Sequence, residues 1–427
     1  MTGLGRVVRN LTLGLVGVGV ASVVVALALG RRDPRVMPVD ADAHFPPEHV
    51  DLATHYANLK YSYWAAGSIL RWGTFAGIVA LGGGAAIAAA GRRGTRGRSF
   101  PTAFVASVLI LGLVAMAGLP VAFQSGWRTE RGFGLTSQSA AGWLFDWTRE
   151  QAFWIVVYSA LAAGFLAVLA RWPRRGWMVA AGAGCLLAMA GLFLAPRVID
   201  PLFHDFAPLE DRELAREIRA LGARAGIDIR RVVVMDASRR TSRLNAYVTG
   251  LGATHQVVLY DNLLEQAPRP EVLAVVAHEI GHTAAHHLRK GLLWSIPLIL
   301  VGAWALSALA RLQARERGLE GPGDPAGLPL LWLALSLGLF FVSPALNSIQ
   351  RTMESEADWT SLELTRDPRT YVETADRLTR ANLMPIDPPR WIVFWLYTHP
   401  PIRDRLGMAR HWSDRNGVRL EPPVEPT

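Results

Sequence analysis

Seven long apolar runs alternate with polar stretches along this chain of 427 residues. Each run is about nineteen to twenty-two residues long, which is the length that an α-helix needs to cross a bilayer. We therefore predict seven membrane-spanning helices, at 11–30, 72–90, 102–123, 152–170, 176–195, 291–310 and 328–346. The first run resembles a signal peptide, but its length and its poor cleavage site favour a retained span.

Between the fifth and sixth runs, residues 196–290 regain polar and charged side chains, which indicates a water-facing part. Apolar residues recur with helical spacing over 211–225 and predict an amphipathic helix there. Alternating or continuous apolar stretches predict three strands, at 231–236, 245–249 and 256–260. The last two strands read as the arms of a hairpin, so the fold class is a mostly α-helical membrane protein with a small antiparallel β-sheet.

These patterns divide the chain into four predicted parts. Residues 1–195 hold five spans with their loops, and 196–290 form a water-facing core of helix, sheet and a second helix. Residues 291–346 hold spans six and seven. Residues 347–427 form a polar helical part, whose Pro-rich acidic tail we expect to be disordered.

Composition supports a membrane protein and argues against a nucleic-acid binder. Hydrophobic residues make up 51% of the chain and charged residues 19%, which is too apolar for an ordinary soluble protein. The net charge of +9 comes almost entirely from arginine. Because the arginines cluster at the ends of the apolar runs, they are expected to anchor helices at the membrane surface, and we expect no nucleic-acid partner.

A metal-binding pattern lies in the helix predicted after Pro270. Residues 278–282 read His-Glu-Ile-Gly-His. Residues four apart share one face of a helix, so His278 and His282 can direct two imidazoles at one zinc ion. Glu279 lies beside that point and suits a general base acting on water. The alternative is a surface helix that carries these three residues by chance.

A catalytic zinc ion needs a third ligand, and the candidates are Glu354 and Glu356. Glu354 and Asp358 are four residues apart and share a helix face. One carboxylate can therefore bind the metal while the other holds a ligand imidazole by a hydrogen bond. The alternative is an acidic, solvated helix face.

Several motifs occur in the order found in one known family. Residues 238–251 read Ser-Arg-Arg-Thr-Ser-Arg-Leu-Asn-Ala-Tyr-Val-Thr-Gly-Leu, residues 354–358 read Glu-Ser-Glu-Ala-Asp, and residues 399–405 read His-Pro-Pro-Ile-Arg-Asp-Arg. With the motif at 278–282, they resemble the type I CAAX prenyl endopeptidases, integral-membrane zinc metalloproteases. The resemblance implies a ring of seven helices around a chamber, with a zinc site capping it.

The resemblance also implies roles for single residues. His278, His282 and Glu354 would bind one Zn²⁺ per chain, with Glu279 as the base, which would leave Asp358 to hold a ligand imidazole. A second set would act on the substrate.

In that second set, Asn245, Ala246 and Tyr247 would lie on the substrate-binding strand edge. His399 and Arg405 would lie close to zinc and would stabilise the oxyanion of the reaction. The sheet can also be read as purely structural, with no contact to substrate.

We therefore expect a membrane-embedded zinc metalloendopeptidase, with a peptide or protein substrate that has a membrane-associated C-terminus, and with the lipid bilayer as its surroundings. The alternatives are an intramembrane protease of the site-2 type and a non-enzymatic membrane protein with structural zinc. The family's aromatic residue and Gln are replaced here by Ser355 and Glu356, and its Trp by Thr283, which leaves the substrate open. An Arg-, Ala- and Gly-rich composition favours a bacterial cell membrane, and the side that carries the catalytic part stays undecided.

Overall fold

The structure is a computed structural model that describes residues 2–29, 33, 35–41, 44–250 and 252–420. Gly30, the last residue of the first predicted span, lies outside the described residues, as does most of the tail predicted to be disordered. Helices dominate the described part, as the apolar runs predict.

Sixteen α-helices occur in the described ranges: α1 (Gly3–Leu29), α2 (Pro47–Ala80), α3 (Gly83–Thr95), α4 (Ser99–Phe123), α5 (Thr129–Gly132), α6 (Ala140–Arg171), α7 (Gly176–Leu194), α8 (Asp200–Phe203), α9 (Arg212–Arg224), α10 (Asp261–Gln266), α11 (Arg269–Ala284), α12 (His287–Arg317), α13 (Leu328–Thr365), α14 (Pro368–Ala381), α15 (Arg390–Leu396) and α16 (Ile402–Asn416). Four strands accompany them: β1 (Phe206–Pro208), β2 (Arg231–Met235), β3 (Ala246–Thr249) and β4 (Gln256–Tyr260). Turns of π-helix continue α4 and α7 toward α5 and α8.

Among the described residues, six helical segments are each long and apolar enough to cross a membrane, namely α1, α4 with α5, α6, α7 with α8, α12, and α13 with the turn before it. The second predicted span is different, because α2 and α3 meet at an angle of 80°. Gly82 forms the bend with a left-handed φ of +69°. Seven spans are reached when this bent pair counts as one. The prediction of one straight span over 72–90 overlooked the run Gly82-Gly83-Gly84, which marks the bend.

The sheet has the strand order β1-β2-β4-β3, which leaves β3 at one edge. The predicted hairpin is confirmed, since β3 and β4 pair antiparallel from Ala246 opposite Leu259 to Thr249 opposite Gln256. The sheet as a whole is mixed, however, because β2 runs parallel to β4. The prediction of a purely antiparallel sheet is therefore wrong for that pair, and β1 was not predicted.

The largest buried cluster of the water-facing part packs one face of the sheet against α9 and α11. Helix α11 also packs very closely against α13. A Cβ atom at Gly281 would lie 3.0 Å from the main chain of Ala357, so a larger residue would require the two helices to move apart by a few tenths of an ångström. This contact brings the face of α11 that carries His278 and His282 against the C-terminal part of α13.

The four-part division remains a prediction, but all three of its boundaries fall inside continuous helical segments, the first of them within the π-helical turn that continues α7. The boundary at 290 lies within α12 and the boundary at 346 lies within α13. Helix α13 thus runs without interruption from an apolar span into the part of the chain that holds Glu354 and Asp358.

Candidate metal centre

The two histidines of α11 direct their Nε2 atoms toward the same site. The Nε2 atoms of His278 and His282 are 3.1 Å apart. Both side chains are largely buried. This is the arrangement that the four-residue spacing predicts on one helix face.

Glu354 of α13 completes a triangle with these two nitrogens. Its Oε2 atom lies 3.2 Å from Nε2 of His278 and 3.4 Å from Nε2 of His282. The same oxygen is buried, and no hydrogen-bond partner is found for it in the described part of the chain. Ligands that bind a tetrahedral metal ion at about 2.0–2.1 Å are about 3.3 Å from one another, so the three atoms fit one zinc-sized ion.

Glu279 lies beside the imidazole pair. Its carboxylate and the two imidazoles offer ligand atoms that all lie within 4.8 Å of one another. The Oε2 atom of Glu354 lies close to both Nε2 atoms and makes no hydrogen bond in the described part of the chain, which is the environment that a third ligand needs. Burial raises the pKa of Glu279 above the ordinary range of a glutamate, and the carboxylate accepts the main-chain N–H of Val248.

Behind His278, a carboxylate and a guanidinium hold the ring in place. Nδ1 of His278 lies 2.9 Å from Oδ1 of Asp358, whose side chain is fully enclosed. Arg405 donates to both oxygens of Asp358, at 2.7 and 3.1 Å, and lies within 3.4 Å of the hydroxyl of Tyr371. Arg405 is therefore directed at Asp358, and the oxyanion contact expected of it stays a prediction.

Behind His282, the support is another imidazole. Nδ1 of His282 lies 2.8 Å from Nδ1 of His287, and Nε2 of His287 lies 2.9 Å from Oε2 of Glu356. The ammonium of Lys290 donates to the same oxygen at 2.6 Å. If Nε2 of His282 binds a metal, its Nδ1–H donates to His287, which in turn donates to Glu356.

His399 lies on the remaining side of the triangle. Its Nε2 atom is 3.4 Å from Oε2 of Glu354, and its side chain is half-exposed. Arg351 of α13 positions the segment before it by donating to the carbonyl of Tyr397 at 2.6 Å. His399 is therefore within reach of a group bound at the imidazole pair.

The edge strand β3 lies beside this group. The main-chain N–H of Tyr260 donates to the carbonyl of Asn245, so the hydrogen-bonding groups of Asn245, Tyr247 and Thr249 face β4. Those of Ala246 and Val248 face outward. Of the predicted substrate-binding residues, Ala246 thus offers its main chain to the open edge, whereas the Tyr247 ring packs in the cluster on the other face of the sheet.

Comparisons with known proteins agree with this arrangement. Residues 208–413 match the family model of peptidase family M48, and residues 29–205 match that of the CAAX prenyl protease N-terminal part, described as five membrane helices. A Bacillus subtilis protein named "Uncharacterized metalloprotease YhfN" is 30% identical over 377 residues, covering 87% of each chain. The chain belongs to the type I CAAX prenyl endopeptidase family. It is accordingly an integral membrane metalloendopeptidase.

Two further relatives fit this family. The CAAX prenyl protease 1 homolog of Oryza sativa is 27% identical over 312 residues, which cover 71% of this chain and 72% of that protein. The crystal structure of S. mikatae Ste24p superimposes with a TM-score of 0.79 at 20% identity, over 96% of this chain and 99% of that one. At this identity the structural match shows the fold alone, and the prenyl endopeptidase family fold predicted from the motifs is confirmed.

Several residues of the centre escaped the sequence analysis. Glu356 was predicted only as an alternative ligand, whereas it forms one chain with His287 behind His282. Val248 was missed because the strand pattern does not tell which residues face the open edge. The alternation itself was the available signal: once Asn245 is known to pair with β4, Ala246 and Val248 must face outward.

Proposed function

We propose that this family member hydrolyses peptide bonds with one Zn²⁺ per chain, held by His278, His282 and Glu354. The observation that carries the proposal is the triangle formed by the Nε2 atoms of the two histidines and Oε2 of Glu354, with sides of 3.1, 3.2 and 3.4 Å. This triangle fits a tetrahedral ion with one position left open. Zinc supplies Lewis-acid chemistry, polarising water and the peptide carbonyl when it is bound.

Glu279 acts as the general base in this proposal. Its carboxylate is buried beside the imidazole pair, and its raised pKa brings it closer to neutral pH, where a base accepts a proton most usefully. The carboxylate takes a proton from the attacking water and delivers it to the leaving amine. His399 faces the same place and donates an N–H to the developing oxyanion.

Asp358 and Arg405 act through His278. The carboxylate of Asp358 accepts from Nδ1 of His278, which directs Nε2 at the metal. Arg405 neutralises this buried carboxylate and fixes its orientation. We therefore assign Arg405 as a positioning residue.

The substrate is a peptide or protein that reaches the centre as an extended segment along β3. The outward main-chain groups of Ala246 and Val248 pair with it, and Asn245 lies at the start of that edge. Because α13 links the centre directly to a membrane span, we propose a substrate with a membrane-associated C-terminus. The extensive match to a Bacillus subtilis relative favours a bacterial cell membrane.

The two alternatives from the sequence find less support. An intramembrane protease of the site-2 type carries its metal motif within an apolar span, and α11 is absent from the candidate spans of the described residues. A structural zinc site normally closes with a fourth protein ligand, often cysteine, and Cys185 lies in α7.

The test is the Glu279→Gln variant, purified in detergent with zinc. We expect its zinc content to equal that of the unmodified protein and its hydrolysis of a quenched fluorescent peptide to fall by about 10²-fold or more, the usual worth of a general base. The His278→Ala variant is expected to lose both zinc and hydrolysis.

Glu265→Gln serves as the matched control, since this glutamate is exposed at the end of α10. Hydrolysis by Glu279→Gln at the unmodified rate would refute the assigned base. Zinc at full occupancy in His278→Ala would refute the assigned ligand.

A further inference from the structure

The outward main-chain groups of β3 are open to a peptide, whereas those of the segment just before β3 are already hydrogen-bonded within the protein. Alternate residues of an extended chain present their main-chain groups to the same side, so Ser242 and Leu244 share the outward side with Ala246 and Val248. The inward side is occupied in this segment too, because the side-chain amide of Asn262 donates to the carbonyls of Thr241 and Arg243.

At Leu244 the side chain of Asn382 makes the two hydrogen bonds that a neighbouring strand would make. Oδ1 of Asn382 accepts the main-chain N–H of Leu244 at 3.0 Å, and Nδ2 of Asn382 donates to the Leu244 carbonyl at 3.2 Å. Both outward groups of Leu244 are therefore used. A peptide lying along the edge cannot pair with Leu244 unless Asn382 moves away.

One step further back, the edge is closed by the main chain of the turn that follows α5. The N–H of Ser242 donates to the carbonyl of Leu135 at 3.1 Å, and its hydroxyl donates to the carbonyl of Gly134 at 3.0 Å. The closure is thus continuous from Ser242 to Leu244 and uses two separate elements of the fold.

Asn382 is held firmly in its place just after α14. Arg243 donates to the Asn382 carbonyl at 2.9 Å and pairs with Glu130 at 2.9 Å. The next residue, Leu383, is buried and has a left-handed φ of +49°, which is uncommon for a residue with a branched side chain. A strained residue persists only where the surrounding structure enforces it.

The outward N–H groups nearer the candidate metal centre are held by side chains of that centre and of the strand itself. The N–H of Ala246 donates to Oδ1 of the adjacent Asn245 at 2.9 Å. The N–H of Val248 donates to the carboxylate of Glu279. Both side chains belong to the proposed reaction site and can exchange these hydrogen bonds for those of a peptide.

We propose that Asn382 is a specificity-determining residue that ends the peptide-binding edge and limits how many substrate residues can pair on the Leu244 side of the cleaved bond. This inference rests on the proposed role of β3 in binding substrate. Two outward residues of β3, Ala246 and Val248, remain open, which accommodates about four peptide residues at about 3.3 Å each.

The experiment compares peptides that share one cleavable core and are lengthened residue by residue at either end. In the unmodified protein, kcat/KM is expected to stop rising or to fall once one end passes the limit, while the other end stays tolerant. A substrate antiparallel to β3 is limited after the cleaved bond, and a parallel one before it. The restricted end thus reports the strand direction, and mass spectrometry of the products fixes the cleaved bond.

In the Asn382→Ala variant the outward groups of Leu244 are released. The ratio of kcat/KM for long over short peptides is expected to rise by a few-fold to about tenfold, the worth of one or two peptide hydrogen bonds. Asn382→Asp keeps an acceptor for the Leu244 N–H but loses the donor, so its ratio should lie between the two. This second variant also serves if Asn382→Ala does not fold.

Asn416→Ala is the matched control, since it makes the same change on the exposed end of α16 and should leave the ratio unchanged. An equal change for all peptide lengths in both Asn382 variants would show a merely structural residue and overturn the inference. So would an unmodified protein that tolerates lengthening at both ends. Failure of the zinc-loaded unmodified protein to cleave any peptide would instead overturn the proposed function.

Discussion

The two imidazoles at the centre of this protein are supported from behind in opposite ways. His278 rests on Asp358 and Arg405, a carboxylate and a guanidinium whose side chains are 1% and 14% exposed. His282 contacts His287, which is uncharged when its imidazole is neutral. The charged residues beyond it, Glu356 and Lys290, have side chains that are 37% and 42% exposed.

This difference indicates which of the two supports contributes more to the stability of the fold and to metal affinity. A buried ion pair is costly to break, because removing one partner leaves the other charge without water or a counter-ion. An exposed pair is screened and typically contributes less than about 1 kcal/mol. The support of His278 should therefore carry both folding and metal affinity, whereas that of His282 should mainly orient one ring.

The largest effect is expected for Asp358→Ala. It removes the acceptor of His278 and leaves Arg405 buried and unpaired, so we expect a loss of stability on the order of 3–5 kcal/mol together with weaker zinc binding. Thermal unfolding in detergent and zinc titration measure the two effects. Asp387→Ala, at an exposed pair with Arg403, is the matched control.

A double variant sharpens this prediction. If the cost arises from the stranded guanidinium, Asp358→Ala combined with Arg405→Met should be more stable than Asp358→Ala alone, because no buried charge is left unpaired. Equal stability of the single and double variants would show that the loss comes from packing.

A smaller effect is expected for His287→Ala. Nδ1 of His282 then loses its acceptor, and zinc affinity should fall by about 10–100-fold, while the unfolding temperature of the metal-free protein changes little. The neighbouring His286 has a left-handed φ of +56°, so His286→Asn, which tolerates that conformation, is the control. Unchanged zinc affinity in His287→Ala would break the comparison drawn above.

The smallest effect is expected for Glu356→Gln. The amide oxygen still accepts from His287, and only the charge shared with Lys290 is lost, so zinc affinity should change by no more than a few-fold. That change should shrink as salt is added, because both side chains are partly exposed. A loss as large as that of Asp358→Ala would show that the chain behind His282 acts through its charge.

The sequence predicted what depends on spacing within one helix. His278 and His282 are four residues apart, as are Glu354 and Asp358, and this local geometry is unaffected by what packs around the helices. The hairpin of β3 and β4 was predictable for the same reason, since its alternation is local.

Contacts between residues far apart in the chain could not be predicted from the sequence. The hydrogen bonds of Asn382 to Leu244 join residues that are 138 positions apart, and nothing in the pattern around either residue marks the pairing. The parallel pair of β2 and β4 likewise depends on which strand inserts beside which. The bend between α2 and α3 is different, because three consecutive glycines from Gly82 to Gly84 mark it locally and the length of the apolar run concealed them.

Helix α13 is a single helix of 38 residues that joins a membrane span to the candidate metal centre. It runs from Leu328, at the start of the apolar span, to Thr365, beyond the two carboxylates. A tilt or axial rotation of the half that begins at Leu328 is therefore expected to move Glu354 and Asp358, and Pro344, inside the helix between them, is the point at which such a motion can be absorbed. We accordingly expect the hydrolysis rate to depend on bilayer thickness, and rates measured in micelles and in bilayers of graded chain length test this.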